Sequence, residues 1–166
     1  GISGDMNLGA LIDLGVDQDY LLGALKKLQI GEYEVKINRD MRKGITGTRV
    51  DVAVGHEAAP GLCHGHGART FRDIAQLISG SDLPEKVKTV SLRIFTIIAE
   101  AEGKIHGRHK DDVHFHEVGA VDSIVDIVGA AVCLDFLRPD RILSSPVQVG
   151  GGFLRCAHGI LPVPAP

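Results

Sequence analysis

Apolar positions recur at helical spacing in five stretches of the chain and alternate with polar ones in two. Asn7 to Leu14 carries them along one helix face and stops at Gly15, a residue suited to ending a helix. Asp17 is placed to cap a second helix reaching to about Leu28, with Leu21, Leu22, Leu25 and Leu28 as its stripe and Gly31 closing it. Tyr33, Val35 and Ile37 then alternate with polar residues, as do Val50, Val52 and Val54. That period of two predicts a pair of half-buried strands, joined through Gly44 and Gly47.

Glu57 to Ala68 reads as loop, because Pro60, Gly61, Gly65 and Gly67 let no regular element persist. Arg69 or Thr70 opens a helix that ends around Ser79-Gly80. A longer helix runs from about Pro84 to Gly103, its proline start forfeiting no hydrogen bond. Val87, Val90, Ile94, Ile97, Ile98 and Ala101 form its expected buried stripe. Val118 to Leu137 is the fifth helix, in which Gly129 and Ala130 allow close packing. Ile142-Leu143, Val147-Gln148-Val149 and Phe153-Leu154 read as short strands interrupted by Pro and Gly. Helices and strands interleave, so the expected class is α/β or α+β, with mixed layers of helices and short strands in a single domain.

Composition narrows this picture. A length of 166 residues with 44% hydrophobic content suffices for one core without disulfides. Aromatics make up only 4% and Trp is absent, so that core is aliphatic. Cys63, Cys133 and Cys156 lack metal-pair spacing and suit a reducing compartment, which points to the cytoplasm. A net charge of −3 without a basic run argues against a nucleic-acid partner. No stretch approaches the ~20 apolar residues of a membrane span.

The chemistry concentrates between Val113 and Asp126. An extended backbone sends His114 and His116 to one side and Phe115 to the other. Asp122 and Asp126 stand i,i+4 on one helix face, with Glu117 between the two sets. Imidazoles beside carboxylates suit a borderline divalent cation such as nickel or zinc. The plainer reading is a histidine pair beside a helix N-terminus that favours acids. A second candidate is the loop holding His56, Cys63, His64 and His66, whose soft sulfur and imidazoles suit nickel, copper or zinc. Its loop setting fits capture and handover better than a closed structural site; the alternative is a polar loop. The run from Gly1 to Met6 leads into a helix whose amides attract anions, yet no Lys follows its glycines as in a phosphate-binding P-loop. Asp5 there is a metal ligand, a ribose ligand or the helix N-cap. His106 and His109 read as a polar turn after the long helix. Ser123 and Cys133 have no neighbouring base and read as helix and core residues.

Three blocks carry a resemblance that covers essentially the whole chain. His114 to Gly129 resembles the H-F-H-E-V-G-A-x-D-S-I-x-D-I-x-G block of the LarC-type nickel insertion proteins. Gly1-Ile2-Ser3-Gly4-Asp5-Met6, with Leu8 to Gly15, resembles that family's opening motif. Ser145-Pro146, Gly150-Gly151-Gly152 and His158 to Pro166 resemble its later motif. The resemblance implies a role in making the nickel-pincer nucleotide cofactor of lactate racemase. Family members insert Ni²⁺ into pyridinium-3,5-bisthiocarboxylic acid mononucleotide and consume CTP.

On that footing His114, His116, Cys63, His64 and His66 are the expected metal contacts, although the resemblance does not fix which of them bind. Glu117, Asp122 and Asp126 are the expected catalytic carboxylates, as ligands or as groups that orient them. Ser3, Gly4, Asp5 and His158 are expected to contact the substrate. The family normally has a short apolar strand before the opening motif, and a C-terminal domain associated with CTP and a divalent cation; neither is matched here. Residues 1–166 are therefore expected to be an N-terminal substrate-and-metal domain, a fragment inactive as a chelatase by itself. The lactate racemase apoprotein and a second copy of the chain are candidate partners. The alternative function is a non-enzymatic nickel metallochaperone or storage module, and a more distant one is a metal-dependent hydrolase, since such clusters also activate water.

Overall fold

The computed structural model describes residues 3–54, 69–115, 118–156 and 159–164. Two helices come first, α1 (Gly4–Asp13) and α2 (Gln18–Leu25), followed by strands β1 (Tyr33–Arg42) and β2 (Ile45–Val54). Then come α3 (Phe71–Ser79), α4 (Glu85–His106), a single 3-10 turn (Lys110–Asp112) and α5 (Val121–Leu137), and finally β3 (Phe153–Cys156) and β4 (Gly159–Pro162). Among the described residues the strands form two separate antiparallel pairs, β1–β2 and β3–β4. Five helices with two small antiparallel sheets are the α+β member of the expected alternatives.

The helix ends follow local chemistry. Asp17 accepts the Tyr20 amide at 2.7 Å and caps α2. Thr70 and Asp73 form a reciprocal capping box at the start of α3, which satisfies two amides that a helix start otherwise leaves unpaired. Gly107, at φ 62°, ends α4 in a left-handed cap that costs glycine little. Lys43 (φ 51°) and Gly44 (φ 83°) are the two turn residues between β1 and β2, the positive-φ pair whose twist matches a hairpin. The connection is thus Lys43-Gly44; Gly47 lies inside β2, opposite Asp40.

Packing places α1 at the centre of one wall. It lies between β2 and α5, and its approach on both sides needs glycine. A Cβ on Gly9 would sit 3.2 Å from the Thr48 carbonyl carbon, and one on Gly129 would sit 3.0 Å from Leu8 Cδ2. Leu8, Leu21, Leu25, Ile74, Ile78, Phe95, Ile124 and Val128 belong to one core cluster and are fully or almost fully buried. Each such side chain contributes about 1.5–3 kcal/mol on burial. Tyr33 ties the hairpin to α2 by donating its hydroxyl to the Leu25 carbonyl at 2.7 Å.

Two expectations are corrected. The buried stripe of α4 is Val87, Ser91, Phe95, Ala99 and Gly103, an i,i+4 row, whereas Ile97 is 60% exposed and Val90 is also at the surface. Small residues let neighbours approach: a Cβ on Gly103 would come within 2.8 Å of the Arg108 carbonyl. Residues 142–143 and 147–149 form no strand. They pair with no described strand and run irregularly with their apolar side chains at the surface. Among the described residues no helix is long and apolar enough to cross a membrane.

Candidate metal and substrate site

The start of α1 meets the start of α5 at Gly4. A Cβ there would lie 2.5 Å from Asp126 Cγ, so only glycine lets the carboxylate sit against this helix terminus. Ser3 is the N-cap of α1, but its hydroxyl donates to the Asp5 carboxylate and accepts from no helix amide. Asp5, one residue inside the helix, accepts the Met6 amide at 2.9 Å. Asp5 is therefore not the N-cap; that place belongs to Ser3.

Five expected site residues gather here, Ser3, Gly4 and Asp5 at the start of α1 and Asp122 and Asp126 from α5. Asp122 sits exposed in the first turn of α5 and accepts the Ser123 amide. Asp126, one turn on, is half-buried, and its Oδ1 is buried with no hydrogen-bond partner among the described residues. Its carboxyl is pushed up from 3.8 to about 6, first by burial and then by the charges of Asp5 and Asp122. Buried carboxylates without a compensating partner favour the protonated form. Among the described residues no three His, Cys, Asp or Glu side chains converge closely enough to hold a metal ion. Asp5 and Asp122 thus act on Asp126 through their charges without forming a cage around a cation.

His114 takes a different position. It pairs with Thr70 in an isolated antiparallel bridge, with the Phe71 amide on the Val113 carbonyl and the Phe115 amide on the Arg69 carbonyl. The expected alternation holds: Val113 and Phe115 are buried and His114 is exposed. Phe115 stacks at a tilt on Phe95, with centroids 6.2 Å apart. His114 adds to the field that holds the Asp73 carboxyl below its usual range, after the Thr70 hydrogen bonds that dominate. His116, Glu117, Cys63, His64, His66 and His158 lie outside the described residues. Cys133 is a core residue, its thiol pushed up to about 11 by burial, and His106, on the last turn of α4, lies 3.1 Å from Glu102.

Sequence reasoning missed a charged cleft next to the acids. Asp5 and Met6 form one wall and the β1–β2 hairpin the other, around a cavity of about 420 Å³. The signal lay in the positions that alternate with the apolar ones, since Asp40, Arg42, Ile45, Gly47, Arg49 and Asp51 share one face of the hairpin. On the opposite face Asp13 accepts the Thr48 amide at 2.9 Å and hydroxyl at 2.8 Å, and pairs with Arg39. Those Thr48 bonds, with the Arg39 charge, hold the Asp13 carboxyl below its usual value. Arg69, also missed, bonds the Gly119 carbonyl at 3.0 Å while its own carbonyl accepts the Phe115 amide. It thereby spans both ends of the histidine segment.

Residues 1–166 match the family described as nickel insertion protein. The chain is 58% identical, over its whole length and 43% of the relative, to the pyridinium-3,5-bisthiocarboxylic acid mononucleotide nickel insertion protein of Clostridium kluyveri. Identity is 55% to the protein of the same name from Clostridium acetobutylicum, over the whole chain and 46% of the relative. It is 52% to that of Akkermansia muciniphila, over the whole chain and 41% of the relative. The chain thus spans less than half the length of these relatives, and no solved structure matches it. The chain belongs to the nickel insertion protein family.

Proposed function

We propose that this chain is the substrate-and-metal domain of a chelatase that inserts Ni²⁺ into pyridinium-3,5-bisthiocarboxylic acid mononucleotide. The observation that carries the reading is identity of 58% across the entire chain to a relative named for that reaction. The open acid group on α1 and α5 suits it chemically. Insertion needs ligands that strip water from the incoming cation yet release it to the two sulfur donors of the substrate. Carboxylates and imidazoles hold nickel less firmly than soft sulfur does. Asp5, Asp122 and Asp126 would each offer carboxylate oxygen to Ni²⁺ without caging it, with His114, His116 and Glu117 as further contacts and Cys63, His64 and His66 as the capture loop. Ser3, Gly4 and His158 would border the substrate.

CTP and its divalent cation would act through the remainder of the longer protein, and lactate racemase apoprotein would receive the finished cofactor. The test is to incubate the longer protein with substrate, Ni²⁺ and CTP and follow nickel-bound product by absorbance and mass spectrometry. Product that forms only with all three present supports the reading. Stoichiometric nickel binding without product would favour a metallochaperone.

A further inference from the structure

The cleft between α1 and the hairpin has a chemistry of its own. Its floor and rim combine two guanidiniums, two exposed apolar side chains and three carboxylates, of which Asp5 is shared with the neighbouring acid group. Arg42 Nε and Arg49 Nη1 both approach Asp40 Oδ2, but at 3.7 and 3.8 Å, outside hydrogen-bond range. Arg49 spends Nε and Nη2 on Asp51, at 3.0 and 2.8 Å. Among the described residues Arg42 makes only the loose contact to Asp40. Asp40 thus stands between two cations that keep donors with no hydrogen bond to a described residue, Arg42 most of all, and those donors can take a further anion. Met6 and Ile45, 57% and 78% exposed, supply apolar surface beside them. Asp5 closes the same cleft and also faces Asp126 and Arg49.

We infer that this cleft is the binding site for a phosphomonoester carried on a flat cationic ring, with Arg42 and Arg49 holding the phosphate and Met6 and Ile45 flanking the ring. A volume of about 420 Å³ lies within the range of small-ligand sites. The bidentate fork of Arg42 fits phosphate oxygens, and Arg49, its Nε and Nη2 on Asp51, adds Nη1. Asp5 stands on the ring side, where its charge complements a pyridinium and where it joins the site to Asp126 and Asp122. The inference rests on the nickel-insertion reading for the identity of the ligand and adds the residues that select it.

Nicotinic acid mononucleotide, a pyridinium carboxylate with a phosphate, is the probe, and its dephosphorylated riboside is the control. Calorimetry on the chain without nickel should show the mononucleotide binding at least about tenfold tighter than the riboside. Arg42→Gln and Arg49→Gln should each remove most of that difference. Arg42 carries the test if Arg49→Gln lowers stability by releasing Asp51. Gly47→Val should weaken both ligands by filling the cleft, since a Cβ there meets nothing closer than 3.6 Å. A phosphate preference that survives both arginine variants, or absence of mononucleotide binding to the unaltered chain, would overturn the inference. Nickel insertion by the longer protein is scored separately. Insertion together with an arginine-independent phosphate preference refutes the cleft alone. An arginine-dependent preference without insertion keeps the cleft and refutes the chelatase.

Discussion

Asp126→Asn should stabilise the fold at neutral pH while impairing function. The carboxyl is half-buried against Gly4, its Oδ1 has no described partner, and two further carboxylates face it. Its value of about 6 in the folded chain lies above the ordinary 3.8, so the folded state holds this proton across a window where the unfolded state has lost it. Stability therefore falls as pH rises from about 4 to about 6, and the loss is complete above that window. A rise of that size corresponds to about 3 kcal/mol, which partial solvent screening reduces to about 1–2 kcal/mol. A neutral amide escapes this penalty apart from the smaller cost of its own desolvation. The variant should be more stable by about 1–2 kcal/mol at pH 7.5, raising Tm by about 2–8 °C for a chain of this size. The gain should shrink to nothing by about pH 4. Urea unfolding of both proteins at several pH values measures it directly. An equal or lower stability of the variant at pH 7.5, or a difference that does not change with pH, would refute the reasoning.

Gly4→Ala should cost about 1–3 kcal/mol, because its Cβ collides with the Asp126 side chain; urea unfolding reads the loss. His114→Ala combined with His116→Ala should abolish nickel insertion with little change in Tm, His114 being exposed; a wild-type rate would reduce the pair to surface residues. Replacing Cys63, His64 and His66 together should lower nickel uptake at limiting metal but spare turnover at high metal. Turnover that excess nickel cannot restore would place those residues in the reaction itself.

Where local rules govern, the sequence was readable. The Asp17 cap, the Thr70 start and the alternation of Val113, His114 and Phe115 depend on neighbours within a turn or a strand, and all appear as expected. The Asp122–Asp126 spacing likewise placed two carboxylates on related turns of one helix. What escaped was set by tertiary contact. The stripe of α4 is defined by which side chains are small enough to let other elements approach, so Ser91, Ala99 and Gly103 are buried while Ile97 is not. The meeting of Gly4 with Asp126 joins positions far apart in the chain, and no periodicity announces it. The bridge of His114 to Thr70, which brings its charge to Asp73 on α3, likewise joins distant parts of the chain. The cleft arginines were hidden for another reason, since charged residues on the outer face of a hairpin ordinarily signal only solvent.

The central claim is that the acids shared by α1 and α5 transfer nickel to the substrate. The direct measurement is the rate of nickel incorporation by the longer protein at saturating substrate, Ni²⁺ and CTP, comparing the unaltered sequence with Asp5→Asn, Asp122→Asn and Asp126→Asn. The account predicts a fall in kcat of at least about tenfold for Asp126→Asn, as expected for loss of a group that acts in the rate-limiting step. Smaller falls should follow for the more exposed Asp5 and Asp122, with all three proteins folded by circular dichroism. Incorporation at the unaltered rate by all three folded variants would contradict it and move the transfer site elsewhere.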